Sequence, residues 1–586
     1  MKNPYFRLVH AVWRYGSSWH RAIVGYYLAF IVGQGFISLT PFAFGRAIDV
    51  LQGFRVERLN EVIFWLCASV VFVLLFWVFH GPARVVERHV ALKIQQTFRL
   101  KMYADLSHLP LKWHQNHHSG NILTRINRSS TALHRFAESQ FFYIETIVKF
   151  VTSIGFLLWI SLPVGFISLF SSLLVMITIL LFDRKLIPLY ETENEIDNRV
   201  GAVLFDYINN MTTILTLRLG ELTHANLFQR LMSVWPFFKK EAVLNEIKWF
   251  TMMTLLSIIQ TVILVGYIVH TLNTTGTIMI GIVVMLFRYQ YELHNVFFEL
   301  SSHYGEIVRM DTDVRGIQPI VDDINRLAYL PQGAAVARQW HTIEISDLTF
   351  HHAPGEKRGQ IFDNISFKIK RGEKIALIGT SGGGKSTLLN LLCGLYTSSS
   401  VSLRIDGISF SSLEPLQAIT TLIPQDPELF ENTIAFNITL DLPAETDEIH
   451  HVVNLAGFSN VLATLPEGLK TDIREKGLNF SVGQKQRLAL ARGLFAARHS
   501  SLILMDEPTS SVDLPTEKEI LGKVIDAFPE AALIISLHRL HLLPHFDNVI
   551  MLANGNIVAA GSIPDLLNTP GPVYDLWQAY HQQDVN

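Results

Sequence analysis

Long apolar stretches alternate with polar stretches over the first half of the chain. Six of them approach the roughly 20 residues that a helix needs to cross a bilayer. These six stretches are residues 22–45, 62–81, 141–161, 163–182, 249–270 and 277–300. The sixth is interrupted by charged residues and has the weakest pattern. The pattern predicts a membrane α-helical bundle over residues 1–325.

Two long polar connections join the second segment to the third and the fourth to the fifth, and both have a helical pattern. The first connection is rich in basic residues, namely Arg84, Arg88, Lys93, Arg99, Lys101, Lys112, Arg125, Arg128 and Arg135. Positive charge near membrane ends marks the cytoplasmic side. We therefore expect six transmembrane helices with long cytoplasmic extensions and both termini inside. Residues 1–21 mix basic and aromatic residues, which predicts an amphipathic stretch on the cytoplasmic membrane face.

The pattern changes after Asp323. Residues 326–340 are typical of a linker, and residues 341–586 show short strands followed by alternating strands and helices, which predicts a soluble α/β domain. The hydrophobic content of 49% is high for a soluble protein, in agreement with a membrane half. The net charge of −3 gives no basic field, so nucleic acid is not an expected partner. Cys67 and Cys393 form neither a disulfide framework nor a metal site.

The first functional motif along the second domain is a phosphate-binding pattern. Between an apolar strand-like run and a predicted helix lie Gly379, Thr380, Ser381, Gly382, Gly383, Gly384, Lys385, Ser386 and Thr387. This spacing fits a loop whose backbone N–H groups surround phosphate oxygens at a helix N-terminus. Lys385 would reach the β- and γ-phosphates, and the Ser386 hydroxyl would be a ligand of Mg²⁺.

Two adjacent carboxylates follow a second buried strand. Asp506 and Glu507 come directly after the apolar run Leu502–Met505, and the carboxyl ends of strands are where open α/β sheets bind ligands. Asp506 would hold Mg²⁺ through water, and Glu507 would polarise an attacking water.

With these motifs the chain resembles the ATP-binding cassette (ABC) transporters of the exporter type in their half-transporter form. That resemblance implies a membrane helical bundle fused to an α/β P-loop NTPase domain of the ABC ATPase type. Matching motifs place Gln425 in the Gln loop, Ser481, Gly483 and Gln484 in the signature, Asp513 in the D-loop and His538 as the switch histidine. Residues His118–Ile126 are similar to the first coupling-helix region.

Further expectations come from the resemblance alone. Gln425 would contact Mg²⁺, and the signature would face an ATP molecule held by another subunit. A second half-transporter is therefore an expected partner, with a homodimer favoured and a heterodimer left open. ATP and Mg²⁺ are the expected cofactors. The expected location is the cytoplasmic membrane, in contact with lipid, with the nucleotide-binding domain in the cytoplasm.

Three departures from the family pattern affect these expectations. The signature has Phe480 where Leu is usual and Val482 where Gly is usual. The adenine-stacking position is occupied by His352 instead of a larger aromatic residue. Arg474 stands before the signature where Gly is usual. Because Lys385 and Glu507 are retained, the resemblance still implies active ATP hydrolysis.

Export of a substrate by alternating access is the function that this pattern favours. Import of a siderophore-like ligand on the same fold and an ATPase that regulates a membrane partner are the alternatives. A soluble ABC protein is contradicted by the six apolar segments. The substrate class cannot be chosen from the fold.

A row of polar residues along the sixth segment suggests where a substrate would pass. The candidate cavity residues are Arg288, Glu292, Asn295 and Glu299, and the row continues through Ser302, Glu306 and Arg309 at alternating spacings of four and three. Charged groups at membrane depth usually face a water-filled cavity or a partner. A polar or amphipathic substrate, such as a peptide or small molecule, would suit this face. The alternative is a structural pair of Arg288 with Glu292, joined by Lys149 and Glu145.

Overall fold

The computed structural model describes residues 3–53, 55–117, 119–327, 339–351, 360–380, 382–426, 428–474 and 480–583. Its contacts divide the chain into two compact units. The membrane unit comprises Met1–Ser107 and His117–Arg326, and the nucleotide unit comprises His108–Asn116 and Leu327–Asn586. His108–Asn116 thus groups with the nucleotide unit, although it lies within the residues 1–325 assigned to the membrane domain by pattern. This segment comes just before the predicted coupling region.

Helices make up the chain as far as Leu327. They are α1 (Pro4–Tyr15), α2 (His20–Ile37), α3 (Thr40–Gln52), α4 (Leu59–Ser107), α5 (Leu111–Asn116), α6 (Ser119–Glu138), α7 (Gln140–Ile160), α8 (Leu162–Asn209), α9 (Met211–Thr216), α10 (Gly220–Met232), α11 (Trp235–Thr275), α12 (Ile280–Arg315) and α13 (Gln318–Leu327). Of these, α5 belongs to the nucleotide unit.

Within the described residues, five helical stretches are long and apolar enough to cross a membrane: Ser17–Gln52, Val56–Ser107, Ser119–Ile160, Leu162–Asn209 and Gly220–Thr275. They contain the first five predicted segments. The sixth lies in α12, whose length of 36 residues is sufficient. Helix α12 is not among the five apolar stretches, because it contains polar and charged residues such as Arg288 and Glu292.

Helix α12 is held inside the membrane unit by apolar contacts and by one close approach of backbones. Leu286 and Phe297 of α12 are buried in two apolar clusters. At the start of α12, a Cβ atom on Gly281 would lie 2.0 Å from the carbonyl oxygen of Gly45 in α3. Only glycine permits this approach, so Gly45 and Gly281 fix where α12 enters the bundle.

The nucleotide unit contains ten described strands and eight further helices. The strands are β1 (Thr342–His351), β2 (Gln360–Lys370), β3 (Lys374–Gly379), β4 (Ser400–Ile405), β5 (Ile408–Phe410), β6 (Thr420–Ile423), β7 (Leu502–Asp506), β8 (Ala532–Ser536), β9 (Asn548–Ala553) and β10 (Asn556–Ser562). The helices are α14 (Lys385–Leu392), α15 (Ile434–Thr439), α16 (Thr446–Leu455), α17 (Ser459–Ala463), α18 (Val482–Ala496), α19 (Leu514–Ala527), α20 (Ile563–Asn568) and α21 (Pro572–Gln583).

Two sheets organise this unit. The smaller is antiparallel, in the order β2-β1-β4-β5, and the larger has the order β10-β9-β3-β8-β7-β6. In the larger sheet, β3, β8, β7 and β6 are parallel neighbours. Strands β3, β7 and β8 are almost entirely buried, as expected for parallel strands covered on both faces. The carboxyl ends of these four strands therefore meet at one edge of the sheet.

Candidate functional site

The phosphate-binding loop lies between β3 and α14, as its pattern predicts. Gly379 has a φ of +144°, and a Cβ atom there would lie 2.0 Å from the carbonyl oxygen of Leu552, so glycine is required. Gly384 stands at the N-cap of α14 in the left-handed region, and no side chain caps this helix. Its first N–H groups are therefore available to phosphate oxygens.

Lys385 is the first residue of α14, and its ammonium group is directed back over the loop. Its Nζ atom donates to the carbonyl oxygens of Gly379 at 2.9 Å and Thr380 at 3.4 Å. These acceptors are neutral, so a phosphate anion would be a stronger partner for the same charge. Ser386, the next residue, is exposed, whereas Thr387 is half-buried.

Asp506 is the last residue of β7 and Glu507 follows it, and Ser536 at the end of β8 bonds to both. The Ser536 hydroxyl donates to Oδ1 of Asp506 at 2.6 Å and accepts from the backbone N–H of Glu507 at 2.8 Å. Glu507 has a φ of +44°, a strained conformation for a residue with a side chain. Such strain is typical of functional sites, and here it holds the carboxylate at the end of the sheet.

Gln425 follows β6 and reaches the same place. Its Nε2 atom donates to Oε2 of Glu507 at 2.7 Å. Four parallel strands thus place the phosphate loop, the acidic pair, Gln425 and the exposed His538 at one edge. This arrangement is the one that the motifs predict for phosphoryl chemistry.

The signature segment forms the N-terminus of α18. Ser481 is the N-cap, and it exchanges hydrogen bonds with Gln484 in a capping box, at 3.3 and 2.9 Å. Gly483 packs tightly, because a Cβ atom there would lie 2.7 Å from the carbonyl oxygen of Ser511.

The two unusual signature residues occupy different surroundings. Phe480 is buried and packs near Phe458, with ring centroids 6.2 Å apart. Val482 is 62% exposed. The ring of Phe480 is therefore packed in the core, whereas the side chain of Val482 is largely exposed at the surface.

Gln486, to which the sequence motifs assign no role, connects α18 to the loop that follows β7. Its Nε2 atom donates to the carbonyl oxygen of Glu507 and to the hydroxyl of Ser510, both at 3.0 Å. Its Oε1 atom accepts from the backbone N–H of Ser511 at 2.9 Å. The only sequence signal was its position two residues after the signature. Ser536, two residues before His538, is likewise assigned no role by the sequence motifs.

Asp513 is the N-cap of α19, where its side chain accepts from the backbone N–H of Thr516 at 3.2 Å. This hydrogen bond lowers the pKa of the Asp513 carboxyl below its ordinary value. Two predicted contacts, the adenine-stacking His352 and the loop residue Ser381, lie outside the described residues.

The membrane unit contains a large cavity of about 1220 Å³ between α8, α11 and α12. Its wall includes a buried ion pair in which Nζ of Lys248 lies 2.7 Å from Oδ1 of Asp183. Ser302, Glu306 and Arg309, from the inner part of the α12 row, also line it. The cavity therefore presents both signs of charge.

The outer part of the row consists of Arg288, Glu292, Asn295 and Glu299, and these residues lie in two kinds of environment. Glu299 is held by α7, since it accepts from Thr146 at 2.8 Å and from Lys149 at 2.9 Å. Arg288 is exposed, whereas Glu292 and Asn295 are half-buried. In the part of the chain that the structure describes, no hydrogen bond or ion pair involves the side chains of Arg288 and Glu292.

The alternative of a structural Arg288–Glu292 pair joined by Lys149 and Glu145 is therefore only partly present in the structure. Lys149 does pair with Glu145, at 2.6 Å, but the network continues to Glu299 and not to the Arg288 and Glu292 side chains. None of the four outer candidates is among the residues that line the large cavity. Their role in substrate passage stays a prediction.

Comparisons with known proteins find similarity to ABC transporters in both units. A family model described as "ABC transporter" matches residues 362–510, and one described as "ABC transporter transmembrane region" matches residues 24–296. The "ATM1-type heavy metal exporter" of Novosphingobium aromaticivorans is 24% identical over 97% of this chain and 93% of its own length. The "Heavy metal tolerance factor 1" of Caenorhabditis elegans is 26% identical over 85% of this chain. The chain spans only 63% of that second relative.

A solved structure has the same fold. It is titled "Structure of a bacterial Atm1-family ABC exporter with ATP bound" and superposes with a TM-score of 0.81, covering 96% of this chain and 99% of that one. The sequence identity of 22% limits this likeness to the fold.

Proposed function

The chain belongs to the ABC transporters of the exporter type, and on that basis we propose that it is one half of a dimeric pump that expels a substrate by hydrolysing ATP. One observation carries this proposal: a set of phosphate-chemistry residues, with Lys385, Asp506, Glu507 and Gln425 at one sheet edge, shares a chain with a membrane helical unit. Import is not favoured, because the bacterial relative and the solved structure are both described as exporters.

Different residues of the site have different roles in hydrolysis. The loop amides and Lys385 bind the β- and γ-phosphates, and Glu507 orients and deprotonates the attacking water. The hydrogen bond from Ser536 uses one oxygen of Asp506, so its second oxygen would hold Mg²⁺ through water, beside Ser386 and Gln425. When bound, Mg²⁺ neutralises charge that develops on the phosphates. The exposed His538 approaches the γ-phosphate from the end of β8.

A second copy of the chain completes the site in this proposal. Ser481, Gly483, Gln484 and Asp513 carry the signature and D-loop positions, and each chain has one set. The first-turn N–H groups of α18 favour an anion from another subunit. The exposed Arg288 on a membrane helix also favours a covered, aqueous face over lipid. A homodimer satisfies both requirements with one gene product.

The cavity of the membrane unit favours a charged or amphipathic substrate over a plain lipid tail. It combines the Asp183–Lys248 pair with Arg309 and with the aromatic ring of Trp249. A substrate with both ionised and apolar parts would find a partner for each part.

The named relatives suggest heavy metals, and the cavity limits the form that such a substrate takes. The described residues contain no group of three or more His, Cys, Asp or Glu side chains arranged to hold a metal ion. Neither cysteine of the chain, Cys67 or Cys393, lines the cavity. We therefore favour a charged organic molecule, or a metal carried inside one, over a bare metal ion.

The membrane orientation follows from charge. The basic connection between the second and third segments favours the cytoplasmic side of the membrane, which places the nucleotide unit in the cytoplasm. In a bacterium this is the cytoplasmic membrane.

Reconstitution tests the proposal. The purified protein is placed in lipid vesicles, and ATPase activity is screened against charged small molecules, peptides and metal complexes. A compound that stimulates hydrolysis is then followed across the membrane. ATP-dependent movement from the nucleotide side supports export. Hydrolysis without flux of any compound would favour the regulator alternative.

A further inference from the structure

Glu517 is a buried acid close to the catalytic residues that belongs to none of the recognised motifs. It lies in the first turn of α19 and is 5% exposed. Its neighbours on the helix, Ile520, Leu521 and Val524, are core residues. An isolated carboxylate in such surroundings is costly unless it is paired and hydrogen-bonded.

Each oxygen of Glu517 has a separate partner. Oε1 accepts from the hydroxyl of Thr509 at 2.8 Å, and Oε2 accepts from Nη1 of Arg539 at 2.9 Å. The same Nη1 atom donates to the carbonyl oxygen of Val512 at 2.9 Å. Nε2 of His541 lies 4.0 Å from Oε2. The carboxylate is therefore fully engaged by groups from two different loops.

Those two loops carry the catalytic groups. Thr509 is two residues after Glu507, and Arg539 directly follows His538. Glu507, His538, Thr509, Glu517 and Arg539 line one small cavity of about 110 Å³. Glu517 thus joins the loop of the water-orienting carboxylate to the loop of the switch histidine, in addition to the hydrogen bonds that Ser536 makes to Asp506 and Glu507.

The connection also reaches Asp513. Thr509 and Val512 lie on either side of the turn that leads to Asp513, the N-cap of α19. Glu517 bonds directly to Thr509, and Arg539 bonds both to Glu517 and to the carbonyl oxygen of Val512. A shift of the His538 loop would therefore be transmitted to the D-loop through Arg539 and Glu517 together.

We propose that Glu517 is a positioning residue for ATP hydrolysis, which holds the Glu507 and His538 loops at their catalytic separation through Thr509 and Arg539. It does not touch the nucleotide itself. Its contribution should therefore appear in turnover and not in ATP binding. The inference rests on ATP hydrolysis by this unit and not on the identity or direction of the substrate.

The principal test compares Glu517→Gln with wild type in the purified full-length protein in lipid. The amide keeps the size of the side chain but removes the charge that pairs with Arg539. We expect kcat for ATP to fall about 10- to 100-fold, because small misplacements of catalytic groups cost this much, while the Kd for a fluorescent ATP analogue changes by less than about twofold. Glu519→Gln is the matched control, since Glu519 is exposed on the same helix and pairs with the surface residue Lys523.

A double substitution separates positioning from general destabilisation. Arg539→Gln alone leaves the Glu517 carboxylate buried without its cation and should lower kcat at least as far. Combined with Glu517→Gln, it removes both charges, so kcat of the double variant should be no lower than that of the weaker single variant. Thr509→Val removes only the hydroxyl donor and should give a smaller decrease.

The outcomes are distinct. A wild-type kcat in Glu517→Gln would overturn the proposal. So would a parallel loss of kcat, ATP-analogue binding and thermal stability, which would mark a purely structural role. Multiplicative losses in the double variant would show that the two side chains act independently. Absence of ATPase activity in the wild-type protein would instead contradict the proposed function.

Discussion

Polar side chains of the nucleotide site bind one another, whereas Arg288 and Glu292 on α12 of the membrane unit have no hydrogen-bond or ion-pair partner among the described residues. In the nucleotide unit, Ser536 links Asp506 to Glu507, and Glu507 accepts from Gln425. In the membrane unit, Lys149 and Lys248 are paired, but Arg288 is exposed. Both regions place charge in costly surroundings, but in the membrane unit the described residues supply partners for the two lysines and none for Arg288 and Glu292.

This difference indicates two kinds of function. A site that performs one reaction on one nucleotide requires fixed groups, and hydrogen bonds between its members hold them in place. A surface for substrate passage requires charges that are free to meet a ligand or a second copy of the chain. The following predictions test this contrast, from the largest expected effect to the smallest.

Removing the water-orienting carboxylate should have the largest effect. Glu507→Gln should lower kcat for ATP by about 10²- to 10⁴-fold, the usual contribution of a general base, while ATP binding is retained. Steady-state ATPase assays and binding of a fluorescent ATP analogue would measure the two quantities. Glu530→Gln is the control, because Glu530 is highly exposed and pairs only loosely with Arg371. Undiminished turnover would remove Glu507 from its assigned role.

Lys385→Ala should act on binding instead. The substitution removes a charged donor from the phosphates, which corresponds to about 1.5–3 kcal/mol, or roughly a 10- to 150-fold loss of ATP affinity. Isothermal titration with a non-hydrolysable ATP analogue would measure this loss. The exposed Lys518→Ala variant should bind as wild type does. Unchanged affinity in Lys385→Ala would mean that its ammonium group stays with Gly379 and Thr380.

The fold of the nucleotide unit and the ABC family were predictable from the sequence, and the comparisons confirm both. The reason is local: the phosphate loop, the acidic pair, Gln425 and His538 each follow a strand, and parallel strands bring their carboxyl ends to one edge. The individual site residues stay predictions. Gln486 and Glu517 were not predictable, because their partners lie 21 to 25 and 8 to 22 residues away and depend on tertiary packing.

The membrane unit was predictable in outline only. Length and hydropathy identified the helices, but the grouping of His108–Asn116 with the nucleotide unit depends on tertiary contacts that a sequence pattern does not show. The resemblance of His118–Ile126 to a coupling region stays a prediction. The periodicity of α12 correctly placed its polar residues in one row. It could not show that Glu299 bonds to α7 while Ser302 and Glu306 line the large cavity, since these outcomes depend on neighbouring helices.

The outer part of the α12 row should affect coupling more than hydrolysis. Replacing Arg288 with Met and Glu292 with Leu should abolish stimulation of ATPase activity by the compound found in the vesicle screen, while basal activity stays within about twofold, because both residues belong to the membrane unit and not to the ATP site. Replacing the exposed pair Arg58 and Glu61 in the same way removes charges that lie away from the row. Stimulation that survives in the first variant would assign the row to structure or to contact with a second copy.

Val482→Gly should have the smallest effect. The side chain of Val482 is 62% exposed and starts α18 next to the Ser481 cap, so its removal leaves no cavity. Glycine would ease the approach of a phosphate to the helix N-terminus, but it also weakens a helix by about 0.5–1 kcal/mol relative to alanine. The easier approach of the phosphate and the weaker start of the helix have opposite effects. We therefore expect ATPase activity between the wild-type level and about twice that level. Val482→Ala separates the two contributions, because it removes bulk without adding backbone freedom. A tenfold loss in the glycine variant, with the alanine variant unaffected, would show that the cap requires a restrained backbone; a tenfold loss in both would mean that Val482 contacts a partner subunit.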